Sequence, residues 1–252
     1  MKFLGLIASV FISNFALAND SCEKVVYLTF DTGNMSVAHH VADVLKRQNV
    51  KATFFVANEK TYRGDFSLDD SWKSFWLDLV KEGHRFGSHT LDHTYWQKDI
   101  KPDAVQVKSQ FGPLAGKLRK ISTAQMCHEI EASNVRFKEL TGRNLSKIWR
   151  APGGKTSARL VGMAQTCGYK HIAWAKAGFL GDELSSSTYP NELLLKQSLE
   201  NLQGGDITMA HLGIWSRKDP WALGVLEPLI IGLKQKGFCF GMIDAVKKGD
   251  PS

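Results

Sequence analysis

The sequence predicts an α/β fold of about seven β/α units, with parallel strands covered by helices. Two observations carry this. Short apolar runs of strand length alternate with longer stretches of helical period. Composition is also globular: of 252 residues, 43% are hydrophobic and 23% charged, enough for a sizeable core, with no repeat or low-complexity tract. The periodicity leaves open whether the sheet closes into a barrel.

Residues 1–18 come before the fold. Lys2 supplies a positive start, Phe3 to Leu17 is a largely apolar run with a polar interruption at Ser13-Asn14, and Ala16-Leu17-Ala18 is a small-x-small cleavage pattern. They read as a secretory signal peptide cut before Asn19, leaving 19–252 as a single domain. The apolar run is short for a span of about 20 residues, and no second candidate follows. The mature chain is expected outside the cytoplasm, periplasmic or extracellular, with no integral membrane segment.

VVYLTF (25–30) reads as a buried strand. From Ser36, a candidate N-cap, Val37, Val41, Val44 and Leu45 share one helical face. ATFFV (52–56) is a second strand. Trp72, Phe75, Trp76, Leu79 and Val80 mark a helix ended by Gly83, and HRFGSH (84–89) is a third strand. Residues 94–121 read as a long irregular connection, a kind of segment that often carries function. A helix over 122–140 leads to strand KIWR (147–150), and one over 157–167 stops at Gly168 before YKHIAW (169–174). A helix near 190–202 precedes DITMAH (206–211). Helix 221–236 and strand FCFGMI (238–243) close the series.

Removing Lys2 takes the formal net charge from +7 to +6. A basic exported protein suits acidic polymers or anionic envelope surfaces. No Lys/Arg cluster is dense enough to make nucleic acid an expected partner, and the oligomeric state is not legible. Cys22, Cys127, Cys167 and Cys239 survive cleavage, and four cysteines allow three pairings. Cys167 and Cys239 sit near apolar strands, where a buried free thiol is the alternative to a disulfide. No CxxC occurs, which removes zinc-ribbon and thioredoxin chemistry.

The unusual residues fall at strand ends. Asp31 follows the first strand, His89 the third, Arg150 ends the fourth and His211 the sixth. In parallel β/α architectures the C-terminal strand ends share one side, where active sites form. His89 and His93 in GSHTLDHTYW are spaced i, i+4, which would put both imidazoles on one face of a helical turn as ligands for one metal ion. In RAPGG, Arg150 is suited to hold a carboxylate ionised, Pro152 stiffens the turn, and Gly153 lets a backbone approach closely. No GxSxG elbow accompanies Ser88, so serine-hydrolase chemistry is disfavoured. His84, His128 and His171 lack partner spacing and read as structural. Trp96, Trp215 and Trp221 follow strands or loops near these ends and are either exposed aromatic platforms or core.

TFDTG, SHTLDH, RAPGG and MAH (209–211), in this order across about 24–243, resemble the NodB-type polysaccharide deacetylases, carbohydrate esterase family 4. The resemblance implies a distorted (β/α) barrel and metal-dependent removal of acetyl from an N-acetylated glycan: peptidoglycan, a chitin-type oligomer or an exopolysaccharide. It implies a divalent metal, zinc first, with cobalt or nickel as alternatives. By its motifs Asp31 matches the catalytic base, His89 and His93 the metal ligands, Arg150 the residue orienting the base and His211 the general acid. Met209 takes the place of a leucine lining the acetyl pocket, with Pro152 and Gly153 beside the substrate.

Two departures stand out. Thr32 occupies the position of the family's second Asp, normally a metal ligand, so binding should weaken there unless Asp31 or water fills the gap. No DxxDW-like segment is found in AWAKAGFLGDEL (173–184), leaving Asp182 or Asp206 as the carboxylate that would support His211. A non-catalytic carbohydrate-binding relative, or a hydrolase of a non-sugar amide, are the alternative expectations. Sugar specificity would lie in 57–71 and 94–121.

Overall fold

A computed structural model describes residues 22–243; the expected leader, residues 1–18, lies outside them. The strand expected over 25–30 is divided at Tyr27-Leu28 into β1 (Lys24–Val26) and β2 (Thr29–Asp31). α1 (Ala38–Arg47) buries Val41, Val44 and Leu45 as its period requires. Its N-cap is Val37, not Ser36, whose amide is turned to Asn34 Oδ1. β3 (Thr53–Val56), α2 (Lys73–Lys81) and β4 (Arg85–Ser88) follow.

Segment 94–121 is not irregular. It forms an antiparallel sheet of β5 (Thr94–Ile100), β6 (Ala104–Ser109) and β7 (Leu118–Ile121). Val105, Val107 and Ile121 alternate inward and are buried against Met126 and Ile130 of α3 (Thr123–Thr141). The Ser122–Gln125 capping box starts α3, and Gly142, at φ 73°, ends it. β8 (Ile148–Trp149), α4 (Ala158–Thr166), β9 (Lys170–His171), α5 (Asn191–Asn201) and β10 (Ala210–His211) continue the alternation. A π-helical turn over 222–226 runs into α6 (Glu227–Gln235), and β11 (Phe238–Phe240) ends the described chain's elements.

Six strands form one parallel sheet in the order β10-β2-β3-β4-β8-β9, and β1 pairs in parallel with β11. Strand alternation divides β3: Phe54 and Val56 face the helices, in a cluster with Phe30, Val41, Trp76 and Leu229. Phe55 faces the other way and meets Ile148, Ile172 and Ile243, with Tyr27 and Ile207 against them. Residues from strands far apart in the sheet thus share one interior, so the sheet is curled as a distorted (β/α) barrel. Among the described residues no helix is long and apolar enough to cross a membrane.

All four cysteines are paired, Cys22 with Cys239 and Cys127 with Cys167, so neither Cys167 nor Cys239 is the free thiol that their apolar surroundings allowed. The first bridge ties the start of the described chain to β11; the second joins α3 to the end of α4. The bridges close loops with sequence separations of 217 and 40 residues, for which the chain-entropy account gives roughly 2–5 kcal/mol each. Cys127→Ala/Cys167→Ala should therefore lower stability by about 3 kcal/mol in a urea titration; an unchanged midpoint would refute that contribution.

Candidate active site

The register explains why four separate segments meet. Asp31 on β2 is the direct partner of His211 on β10, and Val56, Ser88 and Trp149 are partners across β3, β4 and β8. His89 and Arg150 each come one residue after such a partner. All four expected side chains therefore stand at the C-terminal edge of one sheet.

Asp31 and Arg150 are buried, 3% and 0% exposed. Arg150 Nη1 donates to Asp31 Oδ1 at 2.9 Å and Thr29 Oγ1 at 2.8 Å, and Nε donates to the Ile172 carbonyl at 3.1 Å. Its guanidinium lies 4.2 Å over the Phe55 ring, and Nη2 has no hydrogen-bond partner among the described residues. Burial works to raise the Asp31 pKa, but Arg150, His89 and His211 together outweigh it and hold the carboxyl below its ordinary value. Asp31 is thus a buried anion kept ionised by its neighbours.

His89 and His93 come together, but not on the helical turn their spacing suggested. Thr90 and His93 take left-handed conformations at φ 59° and 48°, and the His93 N–H donates to the Thr90 carbonyl at 3.3 Å. A β-branched residue there is costly, and such strain concentrates at functional sites. Side-chain bonds hold it: Ser88 Oγ accepts from the Thr90 N–H, and Thr90 Oγ1 from the Thr94 N–H. The two imidazole centroids end 4.9 Å apart.

Both rings have Nδ1 against an oxygen acceptor: His89 at 2.9 Å from the Arg150 carbonyl, His93 at 2.7 Å from Gln110 Oε1. That assigns the proton to Nδ1 and leaves Nε2 as a lone pair, the orientation of metal-binding histidines. Burial pushes the His89 pKa down to about 4, which keeps its ring neutral. Gln110 follows β6, so the antiparallel insert positions His93.

Thr32 is enclosed. Its hydroxyl donates to Glu59 Oε1 at 2.6 Å and accepts from the Ala57 N–H at 3.2 Å. The Gly33 N–H donates to the same Glu59 oxygen at 2.8 Å. Gly33 is required here: φ is 66°, and a Cβ would fall 2.2 Å from the Gly213 carbonyl oxygen. Sequence reading did not single out Glu59, which lies in the 57–71 connection with no motif around it. Among the described residues no three His, Cys, Asp or Glu side chains already converge as a closed ligand set. In chemistry the donors nevertheless suit a divalent ion: two imidazoles whose Nδ1 atoms are engaged by oxygen acceptors, and buried carboxylates at Asp31 and Glu59.

His211 has the carboxylate partner that the missing fourth motif left open. Asp182 Oδ2 accepts from the His211 backbone N–H at 2.7 Å and lies 3.0 Å from Nδ1. Asp206 instead accepts from the Gln203 N–H within its own turn. Burial disfavours the His211 cation, but Asp182, then Asp31 and Glu183, raise its pKa to about 10. Met209 is buried two residues earlier, on the same side of the chain by strand alternation. Pro152 is buried, while Gly153 is exposed at φ 61°, where a Cβ would meet the Tyr95 ring at 2.8 Å. Of the three tryptophans, Trp221 is core, Trp96 is partly buried with Nε1 on Asp99, and Trp215 is 63% exposed.

The family model for polysaccharide deacetylases matches residues 18–172. The chain belongs to the polysaccharide deacetylase family. Membership makes it a hydrolase acting on carbon–nitrogen bonds other than peptide bonds. Among similar proteins, the peptidoglycan-N-acetylmuramic acid deacetylase PdaA of Bacillus subtilis is 28% identical over 88% of this chain and 71% of its own length. A chitooligosaccharide deacetylase of Azorhizobium caulinodans is 26% identical over 86% and 91%. A solved family 4 carbohydrate esterase pseudoenzyme from Bacillus anthracis superposes with a TM-score of 0.62 at 18% identity, covering 88% of this chain and 64% of that one. A pseudoenzyme sharing the deacetylase fold means that the fold alone does not decide catalysis; the side chains must.

Proposed function

We propose that this chain is an exported, divalent-metal-dependent N-deacetylase of a glycan, with peptidoglycan, chitin-type oligomers and exopolysaccharide as the candidate substrates. One observation carries the catalytic part: a carboxylate held ionised by Arg150 stands opposite an imidazole held protonated by Asp182, as strand partners. Two groups whose environments drive their pKa values apart are the usual mark of an acid/base pair. A bound divalent ion, zinc in the first instance, would polarise the amide carbonyl and acidify water. His89 and His93 are the residues that would hold it.

Asp31 accepts the proton of the attacking water, since Arg150 keeps it unprotonated and aimed. His211 donates a proton to the departing amine, which is too poor a leaving group to depart as an anion. Met209, Pro152 and Gly153 shape the acetyl side of the site, and Trp215 offers an exposed face for a sugar ring. Two disulfides fit an oxidising compartment, which supports export.

The reading is tested on N-acetylglucosamine oligomers, peptidoglycan and an O-acetylated glycan, with products examined for free amines by mass spectrometry. Free amines from at least one N-acetylated substrate are expected. Acetate from the O-acetylated glycan alone would contradict an amidase assignment.

Asp182 also carries a pH prediction. His211 must be protonated to act, so activity persists below its raised pKa and is lost as pH climbs through it. Asp182→Asn removes the strongest raising partner while burial remains, so the basic limb of kcat/KM should move down by more than about one pH unit. A merely structural role for Asp182 would lower the plateau without moving that limb.

A further inference from the structure

We infer that Glu59 supplies the carboxylate that position 32 lacks, and that Glu59, His89 and His93 together form the metal-binding set of this chain. This assignment rests on the metal-dependent reading proposed above. At position 32 the hydroxyl commits its proton to Glu59 Oε1 and one of its two lone pairs to the Ala57 N–H, so it is engaged with Glu59 and brings no charge of its own. What the hydroxyl and the Gly33 N–H do is anchor one oxygen of Glu59. The other, Oε2, makes no hydrogen bond to a described residue and is the free donor.

The Glu59 backbone is pinned as well. Its N–H donates to Ser67 Oγ at 2.9 Å, and its carbonyl accepts from the Ser67 N–H at 2.9 Å. A glutamate 8% exposed needs a cation or several donors to remain charged. Burial works against its ionisation, and the next influences are His93 and His89, ahead of the bonds from Thr32 and Gly33. By geometry, Glu59 is held at Thr32, the residue after Asp31, and Asp31 Oδ2 lies 3.6 Å from His89 Nε2. Two histidines and one carboxylate are a common catalytic zinc set.

The arrangement also explains why position 32 is threonine. An aspartate there would set a second carboxylate against Glu59 in place of the 2.6 Å hydrogen bond. The two like charges would be buried side by side, which is unfavourable without an ion between them. Carboxylate at 32 and carboxylate at 59 are thus alternatives, and this chain has the second.

The test is metal affinity, measured on protein stripped by chelator dialysis. Zinc and cobalt are titrated in competition with a chromophoric chelator, and fold is checked by circular dichroism. Glu59→Gln should bind at least about tenfold more weakly than wild type, the scale seen even for groups supporting a ligand. Thr32→Asp/Glu59→Gln should recover most of that loss. Glu59→Asp, which keeps the charge and shortens the reach, should weaken cobalt binding and alter its visible absorption. Wild-type affinity and cobalt spectrum in folded Glu59→Gln and Glu59→Asp would overturn the assignment of Glu59 alone. A wild-type protein that binds neither ion would remove the metal-dependent reading with it.

Discussion

Asp31→Asn should lower acetate release by roughly 10²–10⁴-fold with the fold intact, the range expected when a positioned general base is lost. The substitution is nearly isosteric, and an asparagine oxygen can still accept from Arg150 Nη1, now 2.9 Å from Oδ1. What disappears is the charge. Asn cannot take a proton from water, and the His211 cation loses one of its stabilising neighbours. The variant should therefore keep a wild-type far-ultraviolet circular dichroism spectrum and lose turnover. Retention of more than about a tenth of wild-type kcat would take Asp31 out of the base role.

Arg150→Met should cost about 3–5 kcal/mol of stability at neutral pH as well as activity, because it leaves a buried carboxylate without its counter-ion. Both partners are sequestered, and Arg150 also bonds Thr29 Oγ1 and the Ile172 carbonyl. The sign of the pH dependence follows from Asp31. In the wild type its folded pKa lies below the ordinary aspartate value of 3.8, so the pair stabilises above that value and the contribution fades as pH falls through the folded pKa. In Arg150→Met, burial remains and the main lowering partner is gone, so the folded pKa rises above the unfolded one. Ionised Asp31 then destabilises at neutral pH, and the deficit relative to wild type should shrink toward about pH 4 as both forms protonate. Denaturant titrations at three pH values check this; a pH-independent deficit would point to lost packing over Phe55 rather than to charge.

Much of the site was legible because strand ends are easy to locate and parallel β/α order tells which side they share. Asp31, His89, Arg150 and His211 each close a short apolar run. The juxtaposition of His89 and His93 followed from spacing, but its mechanism did not, since left-handed Thr90 and His93 are set by Ser88 and Thr94 bonds with no sequence signature. Asp182 was one of two candidates, and only the packing of the 173–184 segment beside β10 separates it from Asp206. Glu59 was missed because nothing in a polar connection distinguishes a buried glutamate from a solvated one; the departure at Thr32 was the available clue. The 94–121 sheet was missed because β5, TYWQKDI, is largely exposed and has no clean alternation, although Val105 and Val107 in β6 do alternate. Apolar neighbours in the sequence are compatible with thiol or disulfide, so the pairings required the fold.

The central claim is that acetate release from an N-acetylated glycan needs both the acid/base pair and a divalent ion. It is tested most directly by measuring acetate released by residues 19–252 after exhaustive chelation, before and after zinc or cobalt is returned. The account predicts release that falls to background on chelation and recovers when the ion is restored. Release undiminished in the chelated protein, or none from any N-acetylated glycan with either ion present, would contradict it.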